Sequence, residues 1–139
     1  MTKRFVENQL GLFFSVGPAS DAADDLLSER HSRSYAALDM LFNEKGMGLF
    51  GKSDPTVSED FRYLPLELCE CDWDGQDEDG QVVYSVWFHS TSPFTPEDAV
   101  KLRELAKEAY EAGCGPDAAY VRAELFEKFE ESTRRPFPL

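Results

Sequence analysis

Gln81-Val82-Val83-Tyr84-Ser85-Val86-Trp87-Phe88-His89 is a run of β-branched and aromatic residues with little polar interruption. Apolar side chains fall on both of its faces, so it reads as a central strand. Upstream, across the polar turn Asp74-Gly75-Gln76-Asp77-Glu78-Asp79-Gly80, residues 63–73 carry a second strand pattern, and the two form a hairpin. That earlier strand changes phase. Leu66 and Leu68 share one face and Cys69, Cys71 and Trp73 the other, which a bulge near Leu68 would reconcile.

Further toward the N-terminus, residues 5–16 place Leu10, Leu12, Phe14 and Val16 on one face and read as a first strand, ended by Gly17-Pro18. Lys3 and Arg4 ahead of the Leu10–Val16 run give the outline of a secretory leader, but Glu7, Asn8 and Gln9 break the approach and the run is short, so the strand reading is preferred. Ser20 caps an expected helix with Asp21, Asp24 and Asp25 near its positive end. Its stripe holds Leu27, Leu38 and Leu41 with His31 and Ser34 between them, Ser32 is a point where it could break, and the helix reaches about Lys45 before Gly46.

Downstream of the hairpin, Thr95-Pro96-Glu97-Asp98 is a helix start: Thr95 caps, Pro96 takes the first turn, and the acids meet the dipole. Phe94 is placed to pack on Ala99, the buried stripe is Ala99, Leu102, Ala106 and Ala109, and Gly113 ends the helix. A further helix is expected from about Pro116 to Glu131, burying Ala118, Val121, Leu125 and Phe129, and forming a helical hairpin through Cys114-Gly115. The basic, proline-rich end Arg134-Arg135-Pro136-Phe137-Pro138-Leu139 reads as a short linear contact or, more commonly for such an end, as a frayed terminus. The expected fold is a single α+β domain over residues 1–139: a small antiparallel sheet of about three strands packed by three to four helices, in the order β-α-β-β-α-α.

Charge narrows the partners. Twenty-seven Asp and Glu against fourteen Lys and Arg leave a net charge of −13. Such a field repels phosphate, which argues against direct binding to nucleic acid or to an anionic membrane. No apolar run approaches the ~20 residues of a membrane-spanning helix. Three cysteines, Cys69, Cys71 and Cys114, form no disulfide framework and fit reduced thiols in a cytoplasm.

The acids are concentrated. Between Tyr63 and Val100 there is no Lys or Arg, and six acids lie from Glu70 to Asp79. Glu70, Asp72 and Asp74 alternate onto one strand face, and Asp77, Glu78 and Asp79 crowd the turn. These six are the expected binding residues for a strongly basic protein, because carboxylates can fill Arg and Lys sites built for phosphate. In size and charge alone the chain resembles small phage anti-restriction and anti-CRISPR proteins, and no residue carries over from them. Such a docking surface is how a non-enzymatic nucleic-acid mimic acting as a counter-defence inhibitor, or a toxin-immunity protein, would work. The alternatives are an adaptor or structural protein whose charge serves solubility, and a nucleotide-binding protein.

The nucleotide alternative rests on Gly46-Met47-Gly48-Leu49-Phe50-Gly51-Lys52-Ser53, which satisfies G-x-x-x-x-G-K-[ST]. Its surroundings do not. A helical pattern, Ala36 to Phe42, precedes it, and Asp54-Pro55 follows where a helix should begin. It is read as a glycine-rich loop whose Met47, Leu49 and Phe50 form a second candidate contact patch. A calcium loop starting at Asp72 fails in register at Gln76 and Asp77, and Cys69-x-Cys71 lacks zinc-knuckle spacing, so no metal or cofactor is expected. Two histidines, His31 and His89, without a nucleophile elbow or a paired carboxylate in an apolar setting give no catalytic residues.

Overall fold

The structure is a computed structural model that describes residues 7–18, 24–44, 66–90, 92–115, 119–128 and 132–139. Its architecture follows from strand β1 (Glu7–Pro18). Leu10, Leu12, Phe14 and Val16 are buried on one face, and Phe13 is 1% exposed on the other. A strand buried on both faces must have its backbone groups paired along both edges. Helix α1 (Asp24–Glu44) follows, then the hairpin of β2 (Leu66–Gln76) and β3 (Gln81–Ser90), helix α2 (Pro96–Cys114), β4 (Ala119–Lys128) and β5 (Ser132–Pro136). The five strands form one antiparallel sheet in the order β2-β3-β1-β4-β5.

This corrects the expected topology. The chain is α+β, but its described residues form five antiparallel strands and two helices in the order β-α-β-β-α-β-β, where about three strands and three to four helices were expected. The expected third helix is β4, and the expected frayed end is β5. Ala119-Tyr120-Val121-Arg122-Ala123-Glu124-Leu125 fits both periods: Val121 and Leu125 are one helical turn apart, yet Val121, Ala123 and Leu125 also alternate. The edge of β1 left open by β3 decides it, because tertiary pairing outweighs the helix propensity of Ala, Glu and Leu. Arg135 then reaches Glu127 at 2.9 Å and the Phe137 amide donates to the Ala123 carbonyl at 3.1 Å, which ties the C-terminal strand down.

Other expectations hold in part. The hairpin is present, with a register shift between Leu66 and Leu68, but β2 runs on to Gln76 and the expected turn from Asp74 shortens to residues 77–80. In α2, the Thr95 hydroxyl accepts from the Asp98 amide, the Asp98 carboxylate accepts from the Thr95 amide, and Pro96 stands in the first turn. Ala99, Leu102, Ala106 and Ala109 are all buried. Helix α1 runs through Ser32 without a break, and α2 ends at Cys114 with Gly115, not Gly113, as the cap. Gly113 instead lets the helices approach. A Cβ there would lie 2.5 Å from the Ser34 backbone nitrogen and 2.8 Å from its Cα, so the two helices touch backbone to backbone.

Both helices sit on the sheet face that carries Leu10, Leu12, Phe14, Val86 and Phe88. The other face holds a smaller cluster of Phe13, Val83 and Trp87, with Phe126 against it. Register shifts fall between Ser15 and Gly17, between Phe13 and Phe14 against β4, and between Trp73 and Gly75. All three lie at one end of the sheet, and bulges increase twist. There, Arg122 of β4 meets Asp74 of β2 at 3.0 Å, although two strands separate them and a flat sheet would put those strands roughly 14 Å apart. The sheet therefore coils, and the Arg122 guanidinium closes over the Phe13 ring at 3.8 Å.

Candidate functional site

The sheet order places the basic and acidic parts of the fold at opposite ends. At the β4–β5 end the arginines are matched within the fold. Arg122 also meets Glu124 at 3.2 Å, and Arg134 stands over the Trp87 ring at 4.9 Å and the Phe126 ring at 5.5 Å, with Glu124 at 3.7 Å. Trp87 lies flat across Gly11, where a Cβ would come within 2.6 Å of the indole, and it donates to the Ser85 hydroxyl at 3.0 Å. Guanidinium, aromatic face and carboxylate thus form a unit twice over on this sheet, each binding the cation through its charge and through the ring.

At the other end, β2 and its turn hold the six expected acids, and the structure divides them. Asp77 is a turn residue. Its carboxylate accepts from the amides of Asp79 and Gln81, both at 2.9 Å, as an Asx turn does. Asp74 is the bulge residue that holds Arg122. Asp72, Glu78 and Asp79 are exposed and make no ion pair among the described residues. Glu70 takes the register position opposite Trp87. The second candidate patch, Met47, Leu49 and Phe50, lies outside the described residues, as do Lys52 and Ser53 of the glycine-rich motif.

No family model matches the chain, and no curated protein does.

One residue in this region is not apparent from sequence. Trp73, between Asp72 and Asp74, is 65% exposed. In sequence it belongs with the buried face of its strand, since it pairs with Tyr84. The signal that would have found it is positional: Trp73 lies near the end of β2, an outer strand of the sheet among the described residues. An exposed Trp beside carboxylates is the residue type that anchors protein interfaces.

The chemistry-bearing side chains near the helices face one another. His31 stacks on Tyr84 at 3.7 Å, and its Nδ1 lies 3.2 Å from the buried Tyr110 hydroxyl. Ser34 donates to the Arg30 carbonyl at 2.9 Å and contacts the Cys114 sulfur at 3.4 Å. Among the described residues no group of three or more His, Cys, Asp and Glu is placed to hold a metal ion, and no helix is long and apolar enough to cross a membrane.

Burial lowers the His31 pKa from 6.5 to about 4, against an upward pull from the Asp72 carboxylate. The unfolded chain therefore takes up a proton at a higher pH than the folded one. The stability this group contributes is complete above pH 6.5 and is lost as pH falls toward 4. The ring is only half-buried, and water screens the effect, so the loss is about 1–2 kcal/mol. Denaturant midpoints of wild type and His31→Phe at neutral and acid pH check this. Wild type should lose that much more than the variant, and equal losses would remove His31 from the acid response.

Proposed function

We propose that the protein is a non-enzymatic acidic binding protein whose β2 edge and β2–β3 turn engage a basic surface of a protein partner. The observation that carries the reading is the division of the charges. The arginines of β4 and β5 are matched internally, whereas Asp72, Glu78 and Asp79 stand exposed at the far end of the sheet in a stretch with no Lys or Arg. Carboxylates held there can occupy arginine and lysine sites that bind phosphate in a nucleic-acid-binding protein or nuclease. The most concrete form is a nucleic-acid mimic acting as a counter-defence inhibitor or as a toxin-immunity protein, in the cytoplasm of the producing or host cell.

The test reverses Asp72, Glu78 and Asp79 to Lys and leaves Asp74 and Asp77 in place, because those two hold the fold. Exposed charges of this kind change stability by about 0.5 kcal/mol or less each, so the variant should fold. Basic proteins captured by wild type from a lysate should bind the variant about 100-fold more weakly, and wild-type association should slow steeply as salt rises. Binding that ignores both the reversal and the salt would leave the charge as a solubility device.

A further inference from the structure

We propose that the outer edge of β2 is a docking strand: an extended, arginine-bearing segment of the partner adds to the sheet there, with an arginine set against Trp73. The inference rests on the acidic docking reading and specifies its mode.

The two ends of the sheet are guarded differently. Strand β5 has five residues, carries Arg134 and Arg135 and stops at Pro136, which are the usual means of blunting an edge. Strand β2 runs for eleven residues, Leu66 to Gln76, with neither proline nor a basic residue, and among the described residues it ends the sheet on the other side. Asp72, Trp73 and Asp74 are solvent-exposed along it. What guards this edge is the bulge at Asp74 and, along the rest, its charge. A guard made of carboxylates turns away acidic strands, including a second copy of a chain with net charge −13, and admits a basic one.

Side-chain order points the same way. Asp72 is opposite Ser85 and Trp73 opposite Tyr84, so the two point to opposite faces of β2. A strand laid alongside would meet carboxylate and indole alternately, which suits alternating cations and small residues. The molecule already contains such an arrangement. Strand β5 pairs with β4, sets Arg135 on Glu127 at 2.9 Å and lays Arg134 over Trp87 and Phe126. Trp73 is the other tryptophan of the chain, and it offers an arginine from outside the same kind of surface that Trp87 offers Arg134.

The probes are an extended peptide of alternating arginine and threonine, the same peptide N-methylated on alternate backbone amides, and a folded basic protein such as lysozyme. Methylation keeps the charge and removes the strand hydrogen bonds. The unmodified peptide should bind saturably, slow amide exchange in β2, and bind about 100-fold more tightly than the methylated form. Trp73→Ala, checked for its fold by circular dichroism, should weaken the unmodified peptide about 10-fold. Equal binding of both peptides overturns strand addition and leaves charge docking standing. Binding of lysozyme but of neither peptide does the same. If none of the three probes binds, both the inference and the reading beneath it fall.

Discussion

Gly113→Leu should leave no cooperatively folded protein at ambient temperature, and Gly113→Ala should lose about 2–3 kcal/mol. The cause is the contact between α2 and α1. A Cβ at position 113 would run into the Ser34 hydroxyl and would lie 2.5 Å from the Ser34 backbone nitrogen and 2.8 Å from its Cα. A hydroxyl can turn aside, but a backbone cannot, so the helices must separate. Separation pulls Leu38 and Tyr110, both fully buried, out of register with the sheet. Alanine's gain of about 1 kcal/mol in helix propensity is smaller than that cost. Chemical denaturation measures it, with Ser34→Gly as the control. Removing the Ser34 side chain should not rescue Gly113→Ala, since the backbone atoms remain. An alanine variant as stable as wild type would mean that the helices slide apart freely.

Phe14→Ala should cost about 4 kcal/mol, a large part of the roughly 5–15 kcal/mol that holds a typical domain. Phe14 is 1% exposed, stacks on Tyr110 at 4.6 Å and meets Tyr120 edge-on at 5.6 Å. Its register partners are Tyr84 on β3 and Tyr120 on β4, so one side chain joins three strands and α2. Losing it removes about 150–250 Å² of aromatic burial and opens a cavity that the stacked rings are too stiff to fill. A conservative Phe14→Leu should lose much less. Thermal and denaturant unfolding of the two variants should separate by more than about 2 kcal/mol, and coincident curves would show that the ring is not the keystone of that row.

What was legible in the sequence was local. The α2 cap is written in four consecutive residues, Thr95 to Asp98, and the hairpin in its β-branched run and its turn, so both were found. Strand β4 was not, because Ala119–Lys128 is rich in helix formers and its pairing partner lies more than a hundred residues away. The clue was in β1 itself, where adjacent Phe13 and Phe14 require burial on both faces and therefore two neighbouring strands. Strand β5 was missed for a related reason: Arg134 and Arg135 look like a frayed tail until Glu124 and Glu127 are placed beside them. At the acidic edge the charge density was legible, but its division was not. Asp77 could have been recognised as an Asx-turn residue from its position in the turn. The ion pair of Asp74 and the exposure of Trp73 depend on sheet coiling and strand order, which no local pattern encodes.

The central place of β1 also bears on how the molecule is made. Its neighbours on the two sides are β3, whose residues lie some seventy positions downstream, and β4, more than a hundred positions downstream. At ribosomal speeds of about 5–20 residues per second, Leu10–Val16 emerges roughly 5–20 s before the strand that completes its second edge. For that interval a strand buried on both faces has no partner on at least one side. Nascent-chain handling, not the finished fold, is then the stage at which this protein is most exposed to aggregation, and slowing translation between β3 and β4 would lengthen that exposure.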